Sequence, residues 1–418
     1  MTDRKRRRAL RSVKWPLGRL RLASLWTLIA LCCAAGAPAA ASASESTDLL
    51  GRVQEILTRH FYDPKVRELV PGLVAEARRR LEPGAGEERQ REVAFEMLQQ
   101  IDVSHLGLLS KSTHKRMFDE LWRRRHPTVG FELLHVEGDY YVINVLEGGP
   151  AEESGLPEGV RVLTLSGELP AASGLLDFRT DDAALPDPPQ HYVVAELGDC
   201  VMVEFEDAAA DADVQSVEVC ADDYSAFEAF RSSAGVREIE GRRVAYVHLW
   251  YVHMAGVVPT LERFFRDDFA EAEALVFDLR GRGGSAAVVE RILALFGEGL
   301  LWNKPLVVVV DGRSRSAKDV LAYEFRERGL GVLVGERTAG AVIPAMFSEV
   351  GEDTYLMFPA RTLGAYTALL EGVGVEPHVA VEQSARPEPG DPILDRAFEV
   401  AVEWLEGRFE PPTLGLEE

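Results

Sequence analysis

From about residue 236 onward, short apolar segments alternate with helical ones, and this alternation limits the possible folds more than any other feature of the chain. Helical patterns occupy Thr260–Phe269, Ala286–Phe296 and the residues after Ser316. The segments between them read GRRVAYVHLWYV, ALVFDLRGRGG, PLVVVV and GVLVG. Strands that alternate with helices of ten or more residues are typical of an α/β core. We predict such a core over residues 236–408.

Two different patterns precede this core. Residues 46–125 repeat apolar side chains at helical spacing, with a break of Pro and Gly at 83–86, and therefore predict a helical region. Residues 127–225 contain short stretches in which apolar and polar residues alternate, with Gly and Pro between them. That pattern is typical of β-strands joined by turns. The chain is thus predicted to have three folded regions.

The charge of the chain excludes one class of partner. The net charge is −22, although the first 43 residues are strongly basic, so the remainder is more acidic still. An acidic surface repels the phosphate backbone of DNA and RNA. We therefore predict no binding of nucleic acid.

The basic N-terminus has the composition of an export signal. Arg4–Arg8 opens a positive region, and Leu22–Gly36 is an apolar stretch too short for an ordinary membrane span. Small residues follow, with cleavage positions after Ala39, Ala41 or Ala43. Residues 1–43 are predicted to be a signal peptide of an exported protein, periplasmic or secreted. The alternative is an uncleaved signal that anchors the protein in a membrane.

Cys200 and Cys220 lie at the outer ends of two predicted strands, CVMVEFED and VQSVEVC. A turn near residues 209–213 would place the two cysteines opposite each other in a hairpin. An exported protein meets an oxidising environment, in which such a pair forms a disulfide. Two buried thiols that only pack together are the alternative.

Five motifs in order resemble one enzyme family. GGPAEESGLPEGVRVLTLSGE resembles a PDZ domain, and ALVFDLRGRGGS resembles a signature of the tail-specific, or carboxyl-terminal processing, serine peptidases. VVVVDGRSRSAKDV, GVLVGERTAG and LEGVGVEPHV are similar to the segments that follow it in that family. The resemblance implies an α/β, Clp protease/crotonase-like catalytic core, an N-terminal helical region and a PDZ-like β-rich domain over residues 127–225.

The same resemblance assigns the catalytic groups. It makes Ser316 the nucleophile, but alanine occupies position 341, where the better-known branch of the family has its lysine base. QQIDVSHLGLLS is similar to an element of the tricorn-like branch, which uses a serine–histidine pair and a glutamate instead. The resemblance therefore implies His105 as the general base, supported by Ser104 and Glu371.

Neighbouring residues offer competing assignments. Ser314 is predicted to cap the helix that follows it. Lys318 lies two residues along that helix and would point about 200° away from Ser316. Glu376 is an alternative to Glu371 as the acid, and His378 is predicted to be a surface loop residue.

Backbone groups are expected to stabilise the negative charge that forms on a carbonyl oxygen under attack. Ala317 follows the nucleophile at a helix N-terminus, where unpaired N–H groups favour an anion. Gly283 and Gly284 have no side chains, so a second backbone segment can approach closely. We predict that these three residues form the oxyanion hole. Asp278 and Arg280 are predicted to hold the preceding turn together.

The PDZ-like region suggests a peptide-binding loop. PDZ domains add a peptide as an extra strand and hold its terminal carboxylate with backbone N–H groups. The matching loop contains Val129, Gly130 and Phe131. We predict that these residues contact a peptide.

The function predicted from the sequence is that of an exported serine peptidase that cleaves proteins or peptides through an acyl-enzyme on Ser316. No cofactor and no metal are expected. Two alternatives remain: a catalytically inactive, PDZ-type peptide-binding scaffold, and a carrier of hydrophobic ligands on the same fold. The sequence does not determine the oligomeric state.

Overall fold

The computed structural model describes residues 48–177, 179–180, 190–206 and 214–412, and for 179–180 the backbone alone. The predicted signal peptide, residues 1–43, lies outside the described residues. Among those that are described, no helix has both the length and the apolar character that a membrane span requires.

The chain begins with three helices: α1 (Leu49–His60), α2 (Pro64–Arg79) and α3 (Glu87–Leu98). Aspartates cap the N-termini of α1 and α2, since the side chains of Asp48 and Asp63 accept hydrogen bonds from the N–H groups of Gly51 and Lys65. The break at 83–86 falls between α2 and α3, as the sequence predicts. The helices bury a shared apolar core, which includes Leu49, Leu50, Val53, Leu57, Val70, Val74, Val93 and Met97.

The helical region also contains a strand, which the sequence pattern did not predict. Strand β1 (Gly107–Ser110) follows α3 and leads into α4 (Lys111–Leu121). All four residues of β1 are buried. A short, fully buried strand has no alternating pattern, so only its pairing with a distant strand reveals it.

Nine strands and one short α-helix are described in the middle region. They are β2 (His126–Thr128), β3 (Glu132–Val136), β4 (Asp139–Ile143), α5 (Pro150–Glu153), β5 (Arg161–Leu165), β6 (Arg179–Thr180), β7 (Gln190–Tyr192), β8 (Cys200–Glu206), β9 (Val214–Cys220) and β10 (Asp222–Tyr224), which pairs with β2. Six of them form an antiparallel sheet in the order β7-β3-β4-β5-β8-β9. The alternation of apolar and polar residues matches a sheet with one face against a core.

The cysteines of β8 and β9 lie directly opposite each other in the ladder and are joined by a disulfide. Both residues are exposed. Of the two alternatives that the sequence leaves open, the structure has the bonded pair.

Replacing both cysteines with serine is expected to lower the free energy of unfolding by about 2–4 kcal/mol, because the bond restricts the unfolded chain. The bonded residues are 20 apart in sequence. Denaturant titration of the oxidised protein and the double variant measures the difference. A reducing agent should destabilise the wild type equally and leave the variant unchanged; equal stabilities of the oxidised wild type and the variant would contradict the prediction.

The remaining elements form the α/β core that the sequence predicts. In order they are α6 (Ala226–Ser232), β11 (Gly235–Ile239), β12 (Arg242–His248), α7 (Val257–Arg263), β13 (Ala274–Asp278), α8 (Val289–Leu293), β14 (Leu306–Val310), α9 (Ala317–Glu327), β15 (Val332–Gly335), β16 (Ala345–Glu349), β17 (Thr354–Pro359), α10 (Ala365–Leu370), β18 (Val379–Ala380) and α11 (Pro392–Leu405). The sheet order is β11-β12-β13-β14-β15-β18, parallel except where β11 meets β12.

Helices cover both faces of this sheet, which explains its uninterrupted apolar strands. In β14, Val307 and Val309 belong to the core that contains residues of α11. Leu306, Val308 and Val310 belong to the core that contains residues of α9. The loops that leave the carboxyl ends of β12, β13 and β14 meet at one edge of the sheet.

A third sheet, in the order β16-β17-β1-β6, connects the N-terminal region to the core. Strand β1 pairs antiparallel with β17, and Gly107 lies opposite Met357. Ser104 and His105 come just before β1. The pairing therefore brings them to the core, although more than two hundred residues separate them from Ser316.

Candidate active site

Ser316 lies between strand β14 and helix α9, in a strained backbone conformation. Its φ is 59° and its ψ is −116°, a region that residues other than glycine adopt at a cost of about 1–3 kcal/mol. Its N–H donates to the Asp319 side chain at 2.8 Å and to the Ala341 carbonyl. Such strain persists only where the surroundings impose it, so the position of Ser316 is fixed by its neighbours.

The prediction for Ser314 is wrong. The residue before α9 is Ser316, and Ser314 is fully buried within the preceding turn. Its hydroxyl donates to the Leu279 carbonyl at 2.9 Å and accepts the Asp311 N–H at 3.1 Å. Ser314 therefore joins the ends of β13 and β14. The sequence Ser-Arg-Ser does not indicate which of the two serines lies inside the turn.

Asp319, which the sequence reasoning missed, holds the segment around Ser316 together. Its carboxyl group is fully buried and accepts hydrogen bonds from Ser316 N–H, Thr338 Oγ1, Gly340 N–H and Ala341 N–H. Burial raises the pKa of Asp319 to about 6. The aspartate ties the start of α9 to the loop after β15. Its signal in the sequence is an acidic residue three positions after a serine, the spacing of a helix cap.

The glycine loop after β13 lies directly against the nucleophile candidate. A Cβ atom added to Gly283 would come within 2.5 Å of Ser316 Cβ and 3.3 Å of Ser316 Oγ, so only glycine fits. Asp278 and Arg280 form an ion pair at 2.7 Å at the start of this loop, as predicted. Asp391 also pairs with Arg280, at 2.6 Å.

The backbone N–H groups of Gly283, Gly284 and Ala317 are suited to an anion. None of the three has a hydrogen-bond acceptor among the residues that the structure describes. Ala317 is the first residue of α9, where the helix dipole favours negative charge. Because Gly283 contacts Ser316, a carbonyl attacked by Ser316 would lie near both segments.

Ser104, His105 and Glu371 form a second cluster. The Ser104 hydroxyl lies 3.1 Å from His105 Nδ1, and the Ser104 N–H donates to Glu371 Oε1 at 2.9 Å. Ser104 and His105 are both buried. His105 has a φ of 55°, so like Ser316 it has a positive φ. Glu371 thus contacts the serine–histidine pair through the backbone of Ser104.

One short segment contacts both clusters. The Ala341 carbonyl accepts the Ser316 N–H at 2.9 Å. The next two residues, Val342 and Ile343, donate their N–H groups to Glu371 Oε2 at 2.9 and 3.2 Å. The position at which the family's other branch has a lysine is therefore next to Ser316, and here it holds a buried alanine.

Glu376, the alternative to Glu371, and the nearby His378 both contact other parts of the chain. The exposed side chain of Glu376 pairs with Arg337. His378 is half-buried rather than a free surface residue: its Nδ1 accepts the Leu333 N–H at 2.9 Å, and its own N–H donates to the Leu333 carbonyl. It holds the chain beside β15.

The predicted peptide-binding loop lies at the entrance to β3. Val129 and Phe131 are buried, and Gly130 has a φ of 78° with Pro150 packed against it. Both edges of β3 are paired, one with β4 and the other with β7 of the same chain. A peptide that added to β3 would have to displace β7.

A partly buried ion pair joins this loop to the glycine loop. Arg282, which precedes Gly283, donates to Glu132 Oε2 at 2.6 Å. Glu132 is the first residue of β3 and also accepts from the side chain of Asn144. The sequence reasoning missed this contact because nothing in the spacing of residues 132 and 282 indicates that they meet.

The sequence of this chain is similar to those of known proteins. Residues 290–381, which include Ser316 and Glu371, match the sequence profile of "Peptidase family S41". The relatives with significant similarity are tricorn-type proteases. The chain resembles peptidase family S41 and tricorn-type proteases. These similarities agree with the family that the motifs predict.

Two of these relatives show how much of the chain is covered. A tricorn protease homolog of Streptomyces coelicolor is 29% identical over 194 residues, 41% of this chain and 16% of its own length. The tricorn protease of Thermoplasma volcanium is 24% identical over 321 residues, 69% of this chain and 30% of its own length. The chain thus spans less than a third of either relative.

Solved structures agree with the predicted α/β fold. The photosystem II D1 C-terminal processing protease superposes with a TM-score of 0.53 at 16% identity, over 86% of this chain and 98% of that one. The crystal structure of the tricorn protease gives 0.50 at 18% identity, over 86% and 36%. At these identities the likeness concerns the fold alone, and it confirms the predicted fold class.

Proposed function

We propose that this protein is a serine peptidase that hydrolyses peptide bonds by acyl transfer to Ser316, with His105 as general base. The observation that carries the proposal is the segment Ala341–Ile343. It contacts Ser316 on one side and, through Glu371, the Ser104–His105 pair on the other. A nucleophile, a base and a group that orients the base are the parts that this chemistry requires.

In the first half of the proposed reaction, Ser316 Oγ bonds to the carbonyl carbon of the peptide while imidazole takes the hydroxyl proton. Ser104 Oγ, at 3.1 Å from Nδ1, orients the ring. The carbonyl oxygen becomes an anion, which the N–H groups of Gly283 and Ala317 stabilise. The C–N bond then breaks, and the amine leaves with the proton from the imidazole.

In the second half, water attacks the ester that remains on Ser316. Imidazole takes a proton from the water, and the tetrahedral intermediate again places its negative charge near the glycine loop. The C–O bond to Ser316 then breaks, and Ser316 Oγ takes the proton back from the imidazole. The products are a carboxylic acid and the free serine, so the enzyme returns to its starting state.

A fluorophosphonate probe tests the proposal, because it forms a stable bond only with an activated serine. The wild type should be labelled, with the adduct mapped to Ser316 by mass spectrometry, and Ser316→Ala should not be labelled. Ser314→Ala is the matched control, because Ser314 belongs to the turn and is not the proposed nucleophile. The molecules of this variant that fold should still be labelled. A folded wild type that is never labelled would instead support a peptide-binding scaffold or a ligand carrier.

Gly283→Ala tests the contribution of the glycine loop separately from that of the other groups in the site. The added methyl group would clash with Ser316 Cβ and with the Arg315 carbonyl at 2.7 Å. We expect the labelling rate to fall by about 10²–10³, the effect of losing one oxyanion donor. Gly312→Ala is the control, because a Cβ atom there meets nothing within 4 Å. Equal rates for both variants would contradict the proposed oxyanion hole.

The loop formed by Val129, Gly130 and Phe131 is proposed to receive one end of the substrate peptide. Its support is the glycine at a φ of 78° at the entrance to β3 and the Glu132–Arg282 ion pair that leads to Gly283. Gly130→Ala, whose added Cβ atom would lie 3.0 Å from Pro150 Cδ, should raise KM for a peptide and leave fluorophosphonate labelling unchanged. An unchanged KM in the folded variant would place substrate binding elsewhere.

Export to an oxidising compartment is proposed on two grounds: the predicted signal peptide and the disulfide between exposed cysteines. N-terminal sequencing of the protein recovered from expressing cells tests it. A new N-terminus after Ala39, Ala41 or Ala43 supports export with cleavage. Recovery of the intact N-terminus in the cytosolic fraction, with Cys200 and Cys220 reduced, would contradict it.

A further inference from the structure

Lys318 is buried where a lysine is costly. It lies in the first turn of α9, two residues after Ser316, and its exposed fraction is 0%. Burial opposes the charged form of a lysine, and the positive end of the helix dipole opposes it further. An uncharged side chain of similar length would fill the same space at lower cost. The position of Lys318 therefore calls for a compensating role.

The two contacts of the ammonium group indicate that role. Lys318 Nζ donates to the Arg280 carbonyl at 2.6 Å and to the Trp250 carbonyl at 3.0 Å. Both acceptors are backbone atoms of loops that leave the carboxyl ends of neighbouring strands. Among the residues that the structure describes, Lys318 Nζ donates to these two carbonyls and not to Ser316, so Lys318 is not placed to act as the base.

The two carbonyls precede the residues that hold the oxyanion loop. Arg280 begins the loop that contains Gly283 and Gly284. Trp250 is followed closely by Val252, whose N–H donates to the Gly283 carbonyl at 2.9 Å and whose carbonyl accepts the Ser285 N–H at 2.7 Å. The Lys318 side chain, which belongs to helix α9, thus binds both of the loops that these two hydrogen bonds of Val252 join.

The hydrogen bonds do not depend on the charge of Lys318. Burial lowers the pKa of the lysine to about 7. The neutral amine still has two N–H groups, and there are two carbonyl acceptors. A neutral side chain with two suitably placed donors can therefore replace part of the function.

We propose that Lys318 is a positioning residue, which fixes the Arg280–Gly284 loop against the start of α9 and so sets the distance between the oxyanion donors and Ser316. This inference rests on the proposed peptidase function. A displacement of the loop by about 1 Å would weaken the stabilisation of the transition state more than the binding of the substrate.

Three variants test the proposal: Lys318→Met, Lys318→Gln and Lys304→Met. Methionine fills the space and donates no hydrogen bond, whereas glutamine keeps two N–H donors. Lys304 is the matched control, because its Nζ also donates to two backbone carbonyls, those of Ala270 and Ala272, at 3.0 and 2.6 Å. Neither of these carbonyls belongs to the candidate site.

We expect Lys318→Met to slow the fluorophosphonate reaction of the folded protein by about 10²-fold, with KM for a peptide changed less than about threefold. Lys318→Gln should recover a large part of the rate, and Lys304→Met should react like the wild type. A purely structural role predicts lower stability in both methionine variants with normal reaction rates. That result would overturn the proposal.

Hydrogen exchange of the peptide that covers residues 279–288 gives a readout independent of activity. Lys318→Met should exchange these amides faster than the wild type, and Lys304→Met should not. If the wild type is never labelled at Ser316, the peptidase proposal fails while the exchange result still tests the loop. If Lys318→Met does not fold, Lys318→Leu, which also lacks a donor, is compared with Lys304→Met, and unchanged exchange and reaction rate in Lys318→Leu would overturn the inference.

Discussion

Replacement of His105 with alanine is expected to slow the reaction of Ser316 with a fluorophosphonate by about 10²–10⁴-fold, the usual contribution of a general base. Without the imidazole, the serine hydroxyl must lose its proton to water while it attacks. The reaction is followed as the rate of adduct formation per folded molecule. Thermal unfolding of the same sample separates a loss of chemistry from a loss of fold.

His60→Ala is the control for this variant, because His60 is an exposed histidine in the last turn of α1. Ser104→Ala should have a smaller effect than His105→Ala, since it removes the hydroxyl that orients the ring and leaves the base in place. If His105→Ala reacts as fast as the wild type while Ser316 is still labelled, another group is the base, and the tricorn-like assignment of His105 is wrong.

Glu371→Gln should give the second largest effect. The carboxylate accepts three backbone N–H groups, those of Ser104, Val342 and Ile343. Glutamine has one oxygen and one NH₂ group, so in either orientation an N–H group faces another N–H group. We expect the free energy of unfolding to fall by about 1–3 kcal/mol and the reaction rate by about 10²-fold through displacement of Ser104 and His105.

Glu376→Gln provides the comparison, because Glu376 is the neighbouring acid that the sequence left as an alternative and its side chain is exposed. It should change neither the stability nor the rate by a measurable amount. Denaturant titration and fluorophosphonate kinetics on both variants decide between the two glutamates. A larger effect of Glu376→Gln would exclude Glu371 from the site.

The predictions that rest on local patterns agree with the structure. Apolar segments predicted four strands of the core sheet, β12 to β15, and the Pro–Gly break at 83–86 predicted where two helices separate. Both patterns reflect burial and backbone freedom within a few residues. Strand β1 escaped prediction because its four residues are all buried and its partner, β17, lies more than two hundred residues away.

Some residues of the candidate site were predicted from the sequence, and others were found only in the structure. Family motifs identified Ser316, His105, Glu371 and the glycine loop, because each motif is a short run of residue types in a fixed order. The motifs did not identify Asp319 or Lys318, whose importance follows from contacts with the loop after β15 and with the carbonyls of Trp250 and Arg280. The local helix-start pattern assigned the cap to Ser314, whereas the structure has Ser316 in that position.

The sequence by itself determined the family resemblance, the three kinds of secondary-structure pattern and the residue types available for chemistry, because these depend on side chains that are near each other along the chain. The tertiary structure decided which of those side chains meet. Pairing of β1 with β17 brings the Ser104–His105 pair to the core, and hydrogen bonds to buried carboxylates and carbonyls fix the loops around Ser316. Such contacts join residues far apart in sequence, and the free energy of burying and satisfying their polar groups is set only when the whole chain folds.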